Sequence, residues 1–237
     1  MRRNLLLLFM STAILLSLSM TAFAGSLLTF TGVKGTNDGG VYTGIYYGTL
    51  NGGPQQNFMC DDYSDHIYSG ESWTVNTFNI ENLAGGAFGG VTFGTSGTVS
   101  SGMSQLQAYA EALNIAKGLL NSPGTGDPQA SVDSFMIWKL LNNSVPVPGD
   151  ISSAVSSGLA TAGGWWTSTC DPSLSSCLAG LSNVAIYVPV AGSQTGNDGR
   201  PQEFLGLTPT PEPVSMILMG TFLSLAGGLM GKKKRAS

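Results

Sequence analysis

Positive charge is scarce in this sequence. Of 237 residues only ten are Lys or Arg, and six of those crowd the two ends: Arg2, Arg3, Lys232, Lys233, Lys234 and Arg235. Between residues 25 and 210 there remain Lys34, Lys117, Lys139 and Arg200 against thirteen acids, so that body carries a net −9. Nucleic acid and anionic lipid bind through basic patches, and such a surface excludes both. A single histidine, His66, leaves a thin stock of catalytic bases. The sequence also lacks a phosphate-cradling glycine motif, zinc-ligand spacing and a serine-nucleophile elbow, so neither a cofactor nor a metal is expected.

The long hydrophobic runs sit at the ends. Arg2 and Arg3 precede an apolar stretch from Leu5 to Leu18, and Ala22-Phe23-Ala24 places small residues at alternate positions. That order reads as a secretory signal over residues 1–24, with Ala22 and Ala24 marking the signal peptidase site. At the other end Val214 to Gly231 carries no charge, and Lys232, Lys233, Lys234 and Arg235 follow directly. As a helix rising about 1.5 Å per residue, this segment reaches most of the way across a ~30 Å hydrocarbon core. The positive-inside rule keeps the basic stop cytoplasmic and leaves the body outside, in agreement with the signal. A transmembrane segment over 214–231 is therefore expected to anchor an exported protein.

Pro211-Glu212-Pro213, this apolar segment and the terminal basic cluster together resemble the PEP-CTERM sorting signal of exopolysaccharide-producing Gram-negative bacteria. The resemblance covers residues 209–235. It implies recognition by an exosortase, a membrane-embedded cysteine transpeptidase-like enzyme, and delivery to the cell surface or extracellular matrix. It departs from the family in the basic stop, where lysine fills three of four positions that usually hold arginine.

The body, residues 25–190, is expected to form one exported α+β domain: an antiparallel sheet or sandwich with two principal amphipathic helices. Residues 191–210 read as a linker or stalk. Leu27–Val33, Val41–Leu50, Gln55–Cys60, Ser72–Phe78 and Gly90–Phe93 are rich in β-branched and aromatic residues between glycine turns, which predicts strands. Asn37-Asp38-Gly39-Gly40 and Asn51-Gly52-Gly53 supply the turns, because their residues tolerate positive φ. Ser104 and Gln107 suggest a capping box before a helix whose apolar face runs from Leu106 to Leu120. Asp127 and Pro128 open a second helix that ends at Asn142-Asn143. Asp150 is expected to cap a shorter helix through Leu159. Ser182–Val190 reads as a buried strand and Phe204–Leu207 as a last, weaker one.

Cysteine use fits an oxidising destination. Cys170 and Cys177 flank a serine-rich loop short enough to close into a disulfide, which leaves Cys60 over. Phe58-Met59-Cys60-Asp61-Asp62, followed by His66, Gly70 and Trp73 and later by a helix ending Phe135-Met136-Ile137-Trp138, resembles the thioester-type domains of bacterial surface proteins. That resemblance, over about residues 40–142, implies a cysteine joined to a glutamine on the helix, an electrophile that captures nucleophiles. Here Ser134 occupies the glutamine position and Gln129 lies five residues away, so Cys60 is expected to be a free thiol.

Three smaller constellations remain. Cys60 and His66 form a nucleophile and base on paper, with no third group to orient them. Asp61, Asp62 and Asp65 suggest a calcium loop, although the twelve-residue ligand pattern is missing and a solvated acidic turn is expected instead. Trp165-Trp166 offers an indole to a sugar ring, with only one of the two outward if they lie on a strand. Taken together, the sequence predicts a non-enzymatic structural or adhesive module at the cell surface, associated with exopolysaccharide. A covalent thioester-type adhesin or a Cys60-dependent hydrolase is the alternative.

Overall fold

Side chains that alternate between two faces build the body. The computed structural model describes residues 25–93, 99–100, 102–122, 128–171, 173–195 and 201–208. Ala22, Ala24, the Pro211-Glu212-Pro213 motif, the segment 214–231 and the stop Lys232, Lys233, Lys234, Arg235 lie outside these residues. Among the described residues no helix is long and apolar enough to cross a membrane.

Six antiparallel strands close into a barrel rather than stacking as a sandwich. They are β1 (Ser26–Val33), β4 (Ile45–Leu50), β5 (Gln55–Cys60), β6 (Ser72–Phe78), β7 (Val184–Pro189) and β8 (Phe204–Leu207), in the spatial order β1-β4-β5-β8-β7-β6. Two short strands, β2 (Asn37–Asp38) and β3 (Val41–Tyr42), form a separate hairpin about Gly39-Gly40. The expected strand over Val41–Leu50 is therefore broken: Gly44, at φ 94°, turns the chain from this hairpin into the barrel. Asn51 and Gly52, at φ 53° and 69°, are the central residues of a turn closed by Gly53 N donating to the Leu50 carbonyl, within the four-residue connection from β4 to β5.

Each barrel strand points one set of side chains in and the other out. Leu28, Phe30, Tyr46, Leu50, Phe58, Cys60, Trp73, Val75, Ala185, Tyr187 and Phe204 fill the interior. Phe58 fits because Gly48 and Gly206 flank it: a Cβ at Gly206 would lie 2.8 Å from its ring. The outward set, with Ile45, Met59, Val184, Ile186 and Leu205, packs under helices. Strands β7 and β8 are thus buried on both faces, which is why Val184–Val188 reads as an unbroken apolar run.

The helices are α1 (Ile80–Ala84), α2 (Gln105–Asn121), α3 (Pro128–Leu141), α4 (Ser152–Trp165) and α5 (Leu174–Leu181). Ser104 caps α2 by accepting from Gln107 N, but the Gln107 side chain reaches forward to Glu111 instead of completing a capping box. Gly90–Phe93 is not a strand; Ala87–Gly90 forms a 3-10 turn. Helix α4 starts at Ser152 with no side-chain cap from Asp150 and runs well past Leu159, because small residues let it pack closely; Gly158 sits against Met136. Trp165 and Trp166 lie in α4 and the π turn after it, half-buried against the core, so they are helical and not strand residues. Cys170 and Cys177 are joined, with Cys177 on α5 where the sequence suggested a loop. The body also extends beyond residue 190: β8 lies between β5 and β7, so residues 204–207 belong to the barrel wall and not to a stalk.

Candidate functional site

Strand register decides which side chains meet at the end of β5. Cys60 pairs with Phe204 in the antiparallel β5–β8 ladder. Continuing that register by two residues sets Asp62 across from Gln202, with Cys60, Asp62, Phe204 and Gln202 on one face and Asp61 and Glu203 on the other. Cys60 and Gln202 are then diagonal neighbours on the same face, a spacing that long side chains bridge.

The side chains do meet. Cys60 Sγ lies 3.3 Å from Gln202 Oε1 and 3.0 Å from the carbonyl of Asp62. Gln202 Nε2 donates to the carbonyls of Asp62 and Asp65. Both residues are nearly sealed from solvent, Cys60 at 2% exposure and Gln202 at 5%. A cavity of about 440 Å³ opens over the pair, walled by Phe30, Tyr46, Tyr63, Trp138 and Asp62, with His66 and Tyr68 toward solvent.

Helix α3 supplies the back wall. Trp138 Nε1 donates to the Cys60 carbonyl at 2.9 Å, and its ring packs edge-on against Phe135 and Tyr63. Trp138→Phe keeps the packing and removes the donor. It is expected to cost about 1–2 kcal/mol, the price of a buried acceptor left unsatisfied, measured as a lowered denaturation midpoint. Ser134, the position that the thioester-type resemblance assigned to glutamine, does not face Cys60. Its hydroxyl bonds Gly44 N and the Ala130 carbonyl, fixing α3 to the start of β4. Gln129 bonds Asp133 on the helix surface. The amide that faces the sulfur comes from Gln202, which the sequence reading placed in a linker.

The electrostatics favour neutral groups. Burial, reinforced by the charges of Asp62 and Asp61, pushes the Cys60 thiol well up, so the sulfur keeps its proton until a base takes it. Asp62 is pushed up to about 7, by burial first and then by the neighbouring Asp65. One of its oxygens accepts from Ser64 N at 2.9 Å. The acidic turn is not solvated as expected: Asp61 and Asp62 are 1% and 5% exposed. Among the described residues no group of three or more His, Cys, Asp or Glu side chains is placed to hold a metal ion. His66 is exposed, and the Cys60 thiol hydrogen-bonds Asp62 and Gln202.

This arrangement can form an acyl link. The sulfur is a nucleophile and the Gln202 amide carbon, one bond from Oε1, is its electrophile. Held side by side and nearly sealed from solvent, they have the proximity that makes an intramolecular acyl transfer fast. No family model and no curated protein matches this chain. Among solved structures it is similar to the N-terminal domain of the Streptococcus pyogenes pilus tip adhesin Cpa, at 13% sequence identity and a TM-score of 0.40, with 81% of this chain and 97% of that chain covered.

Proposed function

We propose that this chain is an exported adhesive module that closes an internal thioester between Cys60 and Gln202 and spends it once, to attach covalently to a surface or matrix. The observation that carries the reading is the buried contact of Cys60 Sγ with the Gln202 amide, 3.3 Å from sulfur to oxygen. In closure the sulfur attacks the amide carbon, the C–S bond forms, the C–N bond breaks, and ammonia leaves with the thiol proton. Asp62, in the same pocket, takes that proton from sulfur and returns it to the departing nitrogen. No oxidant or cofactor enters the balance.

Capture is the same exchange run with a new nucleophile. A primary amine attacks the acyl carbon, the C–S bond breaks, and Cys60 regains its thiol while the acyl group of Gln202 holds the partner through an amide. One link is made per molecule, so the protein is a covalent adhesive and not an enzyme. The acidic body disfavours anionic targets, and the cavity admits a slender group such as an alkylamine chain. Export by the signal over residues 1–24, retention through 214–231 and processing by an exosortase at Pro211-Glu212-Pro213 complete the proposal. An exopolysaccharide-rich matrix is the setting where such a module serves.

Methylamine is the probe. After incubation with it, the peptide containing Gln202 is expected to carry one N-methylamide, and Cys60 is expected to react with iodoacetamide in denaturant only after the amine has acted. A thiol that alkylates fully in denaturant before any amine is added, together with an unmodified Gln202 peptide, would refute the thioester.

A further inference from the structure

Behind the reactive pair, on the helix side of the same two strands, lies a second pair. Asp61 follows Cys60 and Glu203 follows Gln202, and the β5–β8 register sets the two acids across from one another. Both are sealed, at 1% and 0% exposure. The Glu203 oxygens are spoken for: one accepts from Tyr109 of α2 at 2.8 Å and the other from Thr92 N at 2.7 Å. The Tyr109 hydroxyl in turn accepts from Phe93 N at 3.1 Å. Among the described residues neither Asp61 oxygen accepts a hydrogen bond from another residue. A buried carboxylate with no donor costs several kcal/mol, and buried polar groups in folded proteins are almost always paired. The group beside it is the Glu203 carboxyl, and two carboxylates this close hold together only with a proton between them.

We propose that Asp61 and Glu203 share one proton, carried on Asp61, and that this carboxyl pair clamps the ends of β5 and β8 so that Cys60 and Gln202 stay within reach of each other. The proposal rests on the thioester reading above and adds a positioning device to it. Burial and the Glu203 charge both push Asp61 well above the usual carboxylate range, in keeping with a retained proton. The other titratable groups facing Asp61 are Asp62 and Cys60 of its own strand end and Tyr109 of α2, and none of them brings a positive charge. Removing the shared proton therefore leaves uncompensated repulsion between the strands. The clamp opens in alkali, and the diagonal contact across the other face opens with it.

Two measurements on the full chain test this. The infrared spectrum at about pH 9, where Asp62 is ionised, is expected to show a protonated-carboxyl band that vanishes in Asp61→Asn. An absence of that band in the unaltered protein overturns the shared proton, whether or not a thioester forms. The second starts from protein whose thioester has been opened with ammonia in denaturant, which restores the Cys60 thiol and the Gln202 amide, and follows ring closure by the loss of ammonia on refolding. In Asp61→Asn the amide donates permanently to Glu203, so that variant should close without the alkaline penalty. The ratio of unaltered to variant closure rates is expected to fall by about tenfold per pH unit once the clamp titrates. Equal rates at every pH, with closure intact in both, overturn the clamp alone. Failure of the unaltered chain to lose ammonia at any pH overturns the thioester itself and the role assigned to the clamp.

Discussion

Gln202→Ala is expected to abolish covalent capture while leaving the protein folded. The variant keeps the Cys60 thiol but removes the amide that meets it, so no ammonia is lost, methylamine adds nothing, and Cys60 alkylates at once in denaturant. Relative to the unclosed chain its stability cost is about 1–3 kcal/mol, since the carbonyls of Asp62 and Asp65 lose the Gln202 donor. Cys60→Ala should give the same loss of capture. Ser134→Ala is the discriminating control. It strips Gly44 N of its partner and so lowers stability by about 1–2 kcal/mol, yet capture continues in full. Loss of capture in Ser134→Ala with capture retained in Gln202→Ala would return the reactive amide to α3 and contradict the assignment.

Stability is expected to fall as pH rises from acid to neutral, and Asp62 is one of its causes. Its carboxyl is pushed up to about 7 in the folded protein by burial and by Asp65, against about 4 in an unfolded chain. Between these values the folded state holds a proton that the unfolded state has released, so the slope of unfolding free energy with pH is negative. The contribution is complete below about pH 4 and gone by about pH 7, at about 1.4 kcal/mol per unit or roughly 4 kcal/mol in all. Asp61 and Glu111, both raised by burial, act in the same direction. Asp62→Asn should remove Asp62's own share of the slope and leave the share that Asp61 carries, and denaturant midpoints at acid and neutral pH measure it. A chain whose stability rises across that range would contradict the burial of these acids as charged-averse groups.

Much of the fold was legible because local chemistry wrote it. Asn51-Gly52-Gly53 demanded a turn, Leu106 to Leu120 carried a helical face, and Cys170 and Cys177 sat at a spacing that a disulfide spans. What escaped was set by partners distant in sequence. Phe204–Leu207 looks weak because a glycine interrupts it, yet Gly206 is needed there to admit Phe58 and Tyr187. Small residues in α4 read as a helix that should end early, whereas they allow Met136 to pack against Gly158. The candidate site failed in the same way. Cys60 was visible as the unpaired cysteine of an exported chain. Gln202 was not, since nothing within its own stretch reveals that β8 docks on β5 in the register that brings an amide to the sulfur. The one local signal was the polar pair Gln202-Glu203 set directly before an apolar strand, and both of its members turn out to be buried.

The central claim is a bond, and a balance weighs it. The intact mass of the untreated exported protein, isolated at mildly acid pH and never exposed to amines, should be lower by one ammonia than its sequence and its Cys170–Cys177 disulfide require, with the deficit mapped to linked peptides containing Cys60 and Gln202. A mass that equals the sequence value, with Cys60 as a thiol and Gln202 as an amide, would contradict it.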